Sequence, residues 1–182
     1  DPGITATTAV GWVVVEHCTC GCEKPNFYVI DEHYVASSIP EYHCTQIKEH
    51  RKEIGRHVVS TEMDAQAFSN TNIQKISESN ESRLYSMAQL YIDQGVFVRR
   101  NQKDWQAGHA RLSSMLAKDP NHRHPITGEM GASHFLVSSN CKWYIWEKTN
   151  YKWKKRKTDA HQTEEPADRD DHHMDGIISF MA

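Results

Sequence analysis

The closing stretch DRDDHHMDGIISFMA constrains the fold more than any other part of this chain, because it must pack and yet carries dense negative charge. Four of its first eight residues are aspartates. Apolar residues then recur at helical spacing, which predicts a helix over 170–182 with one face in a core. Asp175 borders that face, four residues after Asp171, where like charges cost roughly 0.2–0.5 kcal/mol. The stretch therefore predicts either acids that cap a helix or a cation held between them.

The rest of the chain has the pattern of one mixed α/β domain. Runs rich in β-branched residues predict strands at 7–16 and 27–35, paired antiparallel. The regions 65–80 and 120–132 are polar or turn-rich and predict irregular structure. Helical periodicity marks four further segments: 39–54, 81–95, 104–119 and 140–151. Short strands are expected between them, at 57–61, 96–100 and 134–139.

The five cysteines bear on the compartment and on metal binding. Their odd number, with neither a signal peptide nor a membrane-length apolar run, favours free thiols in a reducing compartment. The motif HCTCGC suggests zinc through Cys18, Cys20 and Cys22. However, it lacks the Cys-x-x-Cys spacing and a second pair. We therefore expect a polar hairpin loop around Gly21.

The net charge of −3 hides a strong asymmetry. Residues 142–157 carry seven Lys or Arg against one acid, and residues 159–175 carry seven acids against one Arg. A basic block beside an acidic one is compatible with a site that handles a polyanion through metal ions. Within the first block, a basic arm either contacts DNA phosphates without reading sequence or forms a solvated face. The arm consists of Lys152, Lys154, Lys155, Arg156 and Lys157.

Three acids stand where a sheet can bring them together. Asp1 ends a first strand, Asp64 follows the strand 57–61, and Asp175 lies on the last helix. Clustered carboxylates repel unless a cation lies between them, and their oxygens suit Mg²⁺ or Mn²⁺. Two such ions about 3.5–4 Å apart can activate water and stabilise the leaving oxygen of a phosphodiester. Each acid also has a structural interpretation, Asp1 in an Asp-Pro-Gly turn and Asp64 as a cap.

Several motifs follow one another in an order that is specific as a set. DPGITATTAVGWVVVE has the pattern of strand, turn and strand, and FYVIDEHYVASSIPEYHCTQIKEH places Asp-Glu-x-Tyr before a helix. STEMDAQAF, HPITGEMGASHFLVSSNCKWYIWEKTNYKWK and DDHHMDGIISF follow. Together they resemble the C-terminal nuclease domain of the large terminase subunit of tailed bacteriophages, through nearly the whole chain. Gly176 and Ser179 stand where that family commonly has Ala and Arg.

The resemblance implies an RNase H-like fold, a mixed central β-sheet flanked by helices. It implies one nuclease domain over 1–182, with a truncated first strand and without the family's ATPase domain. The Gly-x-x-x-x-Gly-Lys-[Ser/Thr] motif of such ATPases does not occur in the sequence. The implied activity is endonucleolytic cutting of concatemeric double-stranded DNA with two Mg²⁺ or Mn²⁺ ions.

The resemblance also implies roles for individual residues. Asp1, Asp64 and Asp175 match the metal ligands, Asp171 and His172 are auxiliaries, and Glu62 replaces Asp64 if the strand register slips. The implied partners are double-stranded DNA, an ATPase domain, the small terminase subunit and the portal, in the cytoplasm of an infected bacterial host and without a membrane. Two alternatives stay open: another RNase H-like nuclease, such as a resolvase or transposase core, and a non-catalytic DNA-binding module.

Overall fold

The computed structural model describes residues 7–18, 21, 24–55, 57–69, 73–76, 82–102, 104–151 and 171–182. Within these ranges the chain is mixed α/β. The strands are β1 (Thr7–Glu16), β2 (Asn26–Ala36), β3 (Glu62–Met63), β4 (Ile73–Ile76), β5 (Ser82–Tyr85), β6 (Arg99–Arg100) and β7 (Phe135–Val137). The helices are α1 (Pro40–Ile54), α2 (Met87–Asp93), α3 (Trp105–Leu116), α4 (Lys142–Asn150) and α5 (His172–Met181), with a 3₁₀ turn at Ala65–Phe68. None of these described helices has the length and apolar character needed to cross a bilayer.

The main sheet has the order β1-β2-β7. β1 and β2 pair antiparallel, with a bulge between Trp12 and Val13, so the predicted hairpin pair is confirmed. β7 joins β2 in parallel and makes the sheet mixed. β3 and β6 form a second, short parallel pair, and β4 and β5 form an antiparallel pair.

Two hydrophobic clusters cover this sheet. Phe27 and Val29 of β2 pack with buried residues of α3, α4 and α5. Trp12 of β1 packs in the other cluster, with residues of α1 and α2, and Ile30 lies against it. Since neighbouring strand residues point to opposite faces, Val29 and Ile30 assign the two clusters to the two faces of the sheet. A mixed sheet covered by helices is thus confirmed.

The last helix is the most deeply packed element. Its predicted apolar stripe is buried, with Met174 and Ile178 fully inaccessible. Gly108 of α3 lets α3 approach it closely, because a Cβ at this position would overlap the backbone carbonyl oxygen of Ile178. The helix starts at His172, later than the predicted residue 170, so Asp175 lies in its first turn. This corrects the expectation that Asp175 lies beyond the first turn.

Two other predicted elements were wrong. The segment 81–95 is not one helix: β5 occupies its start, and α2 begins only after Ser86, which caps it. The segment 57–61 is not a strand, since β3 starts at Glu62. The expected irregular region 65–80 contains the 3₁₀ turn and β4. In each case a short element pairs or caps locally, which the hydrophobic periodicity does not show.

The cysteines are of two kinds. Cys44 and Cys141 are free and buried, as expected. Cys18 is disulfide-bonded, which corrects the expectation of free thiols for this residue. Three cysteines within five residues of sequence make such oxidation easy, because the thiols are held close together by the chain.

Candidate functional site

A cleft of about 700 Å³ opens between β1, the end of β3, the 3₁₀ turn and α5. Glu62, Asp64 and Asp175 line it, together with His172. The structure thus places on one cleft two of the three acids that the sequence singled out, and also the fallback Glu62. Asp171 precedes His172 as the N-cap residue of α5 and is not one of the described lining residues. Asp1 lies outside the described residues.

The parallel pair of β3 and β6 positions Asp64. Glu62 pairs with Arg99, and the Asn101 amide donates to the Met63 carbonyl at 3.0 Å. Residues that follow parallel strands leave the sheet at the same edge, and both Asp64 and Asn101 line the cleft. Asp64 Oδ1 also accepts from the Gln66 amide at 2.6 Å and caps the 3₁₀ turn. The structural interpretation of Asp64 is therefore correct, and the same bond holds the carboxylate at the cleft.

The N-terminus of α5 is capped from a distance. Glu147 Oε2, from α4, accepts from the amides of His173 at 2.7 Å and Met174 at 3.0 Å. Asp171 precedes the helix, and its side chain makes no capping bond. Capping by Asp171 is thus not what the acids of this segment do. An acid in the first turn does suit the positive end of a helix, which gives Asp175 a structural benefit as well.

Glu147 is a buried carboxylate that the sequence analysis missed. It is 1% exposed, and burial raises its pKa, while the amides of Met174 and His173 and the Tyr34 side chain act in the opposite direction. Glu32 has a similar role one step earlier, because its two oxygens accept from the amides of Trp143 and Tyr144 at the start of α4. No local sequence signal reports a cap that comes from another element.

Electrostatics place the two acids of α5 near a common neighbour. Burial raises the pKa of Tyr151, and the negative charges of Asp175 and Asp171 raise it further. His172 lies on the same side of the helix start, with its ring centroid 6.2 Å from that of Tyr34. The beginning of α5 is therefore acidic and aromatic, and it opens on the cleft through His172 and Asp175.

Basic residues also lie beside this cleft. Arg99 and Arg100 of β6 are exposed and pair in register with Glu62 and Met63, both lining residues. The sequence analysis treated VFVRR only as a strand, although two arginines at a strand end are a signal for anion binding. The predicted basic arm lies outside the described residues: Lys152, Lys154, Lys155, Arg156 and Lys157.

The donor chemistry of the cleft suits a hard divalent cation. Carboxylate oxygens are the ligands that Mg²⁺ and Mn²⁺ prefer. Within the described ranges, no three His, Cys, Asp or Glu side chains converge closely enough to hold an ion. The described part thus contributes carboxylates and one imidazole to a common cleft. No family model, curated protein or solved structure matches this chain.

Proposed function

We propose that this chain is a metal-dependent DNA endonuclease domain with an RNase H-like fold, of the kind found in phage packaging terminases. The observation that carries the proposal is the meeting of Glu62, Asp64 and Asp175 on one cleft. The substrate is concatemeric double-stranded viral DNA, hydrolysed at its phosphodiester bonds. An ATPase domain, a small terminase subunit and a portal are the corresponding partners, in the cytoplasm of an infected bacterium.

The proposal assigns metal binding to Asp64 and Asp175, with Asp1 as the third ligand by resemblance. Bound Mg²⁺ or Mn²⁺ supplies activation of water and stabilisation of the leaving oxygen. The chain itself orients the ligands. The Gln66 amide fixes Asp64 through Oδ1, and Glu147 fixes the helix start that carries Asp175. Such supporting bonds are what holds a metal ligand in a productive orientation.

Plasmid nicking tests the activity. Purified protein should convert supercoiled plasmid to nicked and linear forms with Mn²⁺ and lose this activity in EDTA. Asp64→Asn should lower the rate at least ~100-fold, with an unchanged circular dichroism spectrum. Asp93→Asn is the matched control, because Asp93 is exposed on α2 and does not line the cleft.

The outcomes separate the three functions. Full activity in EDTA would contradict the metal mechanism. Cutting confined to branched junctions or specific ends would favour a resolvase or transposase core. Binding of DNA without nicking under any metal would favour a non-catalytic DNA-binding module.

Asp175→Asn separates metal binding from a purely structural role. If Asp175 only serves the helix dipole, the substitution lowers stability by about 0.3–1 kcal/mol and leaves nicking intact. As a ligand among repelling carboxylates, it should instead raise the metal-free melting temperature, reduce the stabilisation by Mn²⁺ and abolish nicking. Asp171→Asn should cost less activity. Nicking by Asp175→Asn at the wild-type rate would show that the assignment of this ligand is wrong.

DNA binding is tested through its salt dependence. Arg99→Ala with Arg100→Ala should weaken binding to all sequences alike. The log–log salt slope should become shallower by roughly 0.9 for each phosphate that the variant no longer binds. The triple change of Lys154, Lys155 and Lys157 to Ala makes the same test of the basic arm. An unchanged slope in either variant would identify that group as a solvated face.

A further inference from the structure

A second cluster of metal-ligating side chains lies outside the acid-lined cleft. Cys18, in the loop between β1 and β2, has its Sγ 3.4 Å from Nδ1 of His122. The two residues are 104 positions apart, so the contact joins the β1–β2 loop to the connection between α3 and β7. Neither residue lines the cleft. The proposed nuclease activity leaves this contact unexplained.

The distance itself points to a shared metal. Zinc binds cysteine sulfur at about 2.3 Å and histidine nitrogen at about 2.0–2.1 Å, in tetrahedral geometry. Two such ligands of one ion therefore stand about 3.6 Å apart. The observed separation of 3.4 Å agrees with this value.

His122 is held rigidly in place. It is 0% exposed, and its ring stacks on that of His134 with centroids 3.9 Å apart. His134 is itself fixed, with Nε2 3.3 Å from Asp119 Oδ2 and Nδ1 3.2 Å from Asn26 Oδ1. The His122 carbonyl accepts from the amide of Gly131 at 3.0 Å. A ligand oriented in this way by its surroundings is typical of a built metal site.

We propose that the reduced thiolate of Cys18 and Nδ1 of His122 are two ligands of a structural zinc ion. The sequence has two more cysteines, Cys20 and Cys22, within four residues of Cys18. Their placement lies outside the described residues, and the proposal rests on Cys18 and His122. Zinc with cysteine and histidine ligands is a common structural site. The ion would tie the β1–β2 loop to the body of the domain.

The oxidised and the zinc-bound forms are related by a balanced step. Cys18 is disulfide-bonded in the structure. A dithiol reductant of the cell supplies two electrons and two protons, which break the sulfur–sulfur bond and leave two thiols. Zinc binding then displaces the thiol protons. The metal site therefore belongs to the reduced protein.

Zinc content tests the proposal. Protein purified under reducing conditions with zinc, and then dialysed, should retain about one zinc per chain by mass spectrometry. Cys18→Ser and His122→Ala should each retain less than about half of that. His57→Ala, at an exposed histidine, and Cys44→Ala, at a core thiol, should retain the wild-type amount.

A spectroscopic measurement covers the case in which a variant fails to fold. Cobalt added to the reduced wild-type protein should give the near-ultraviolet charge-transfer absorption of thiolate-bound cobalt. The band should disappear when zinc is added in excess. Wild-type protein that shows no band and retains no zinc would overturn the proposal, as would zinc content unchanged in folded Cys18→Ser and His122→Ala. These readouts do not depend on nicking, so they stand apart from a failure of the nuclease proposal.

Discussion

The helices of this protein begin in two different ways. α2 and α3 are capped by the residue before them: Ser86 accepts from the Gln89 amide at 3.1 Å, and Asp104 accepts from the Ala107 amide at 3.0 Å. α4 and α5 have no such local side-chain cap. Their first amides are bound by Glu32 of β2 and Glu147 of α4. The first kind of start is written in neighbouring residues, and the second exists only in the folded protein.

The remote caps connect the sheet to the cleft in two steps. Glu32 fixes α4, and Glu147 of α4 fixes α5, which carries Asp175 into the cleft. The comparison shows that the position of Asp175 depends on carboxylates from other elements. It also shows why Asp171 is not needed as a cap.

The largest expected effect is that of Glu147→Ala. It removes the acceptor of two buried amides, which should cost about 3–4 kcal/mol in the free energy of unfolding. Urea denaturation measures this cost. Glu147→Gln keeps an acceptor oxygen and should cost less, and the exposed Glu53→Ala should cost almost nothing. Equal stability of Glu147→Ala and Glu53→Ala would show that the remote cap contributes nothing.

Acid should weaken the remotely capped start of α5 through His173. Burial lowers its pKa to about 3, helped by His172 and His33, although Glu32 Oε2 lies 3.3 Å from its Nε2. The unfolded chain therefore binds the proton first: stability is full above the ordinary pKa of 6.5 and falls as the pH drops towards 3. At pH 5 the loss should be about 2 kcal/mol relative to pH 7.

Comparison of pH slopes isolates this contribution. His173→Asn should remove about 2 kcal/mol of the loss between pH 7 and pH 5, whatever its stability at pH 7. His33, whose pKa burial lowers to about 4, should keep its own share of the acid sensitivity. The exposed His57→Asn should leave the slope unchanged. A slope equal to wild type in His173→Asn would contradict the assignment.

The local cap of α3 should matter less. Asp104→Ala should cost about 1 kcal/mol, the usual value for a cap that is close to solvent. Asp104→Asn should restore most of it, because Asn also caps well. Thermal melting of both variants measures the difference from the remote cap. A cost for Asp104→Ala as large as that of Glu147→Ala would remove the contrast between the two kinds of start.

The smallest effect should come from Asp171. Since its side chain makes no capping bond, Asp171→Asn should change the free energy of unfolding by less than about 0.5 kcal/mol. Metal-free thermal melting is the measurement. A loss as large as that of Asp104→Ala would mean that Asp171 does support the helix start.

The sequence predicts the fold where a pattern is long and local. The strand at 7–16 and the helix at 39–54 match β1 and α1 to within one residue, because ten or more residues carry each pattern. The helix predicted at 81–95 failed because its first part pairs with β4 instead. The strand predicted at 57–61 failed because β3 is only two residues long. Short elements depend on tertiary partners that a periodicity does not contain.

The candidate site follows the same division. Asp64 and Asp175 could be predicted because one follows a strand and the other borders an apolar helical stripe. Glu147 and His122 could not, because each acts on a distant segment and has no local motif. Arg99 and Arg100 carried a readable signal that strand periodicity concealed. Pairings between residues far apart in the chain become visible only in three dimensions.

The dependence of the cleft on α5 also has a consequence for biosynthesis. α5 packs on β1 and α3 and covers Phe27, Val29 and Leu112. While the chain grows on the ribosome, this apolar surface stays uncovered until α5 is synthesised, and it is then a target for chaperones. Asp175 arrives with the same helix, so a nascent chain has no complete cleft. The helix that finishes the hydrophobic core therefore also determines when the acids first meet.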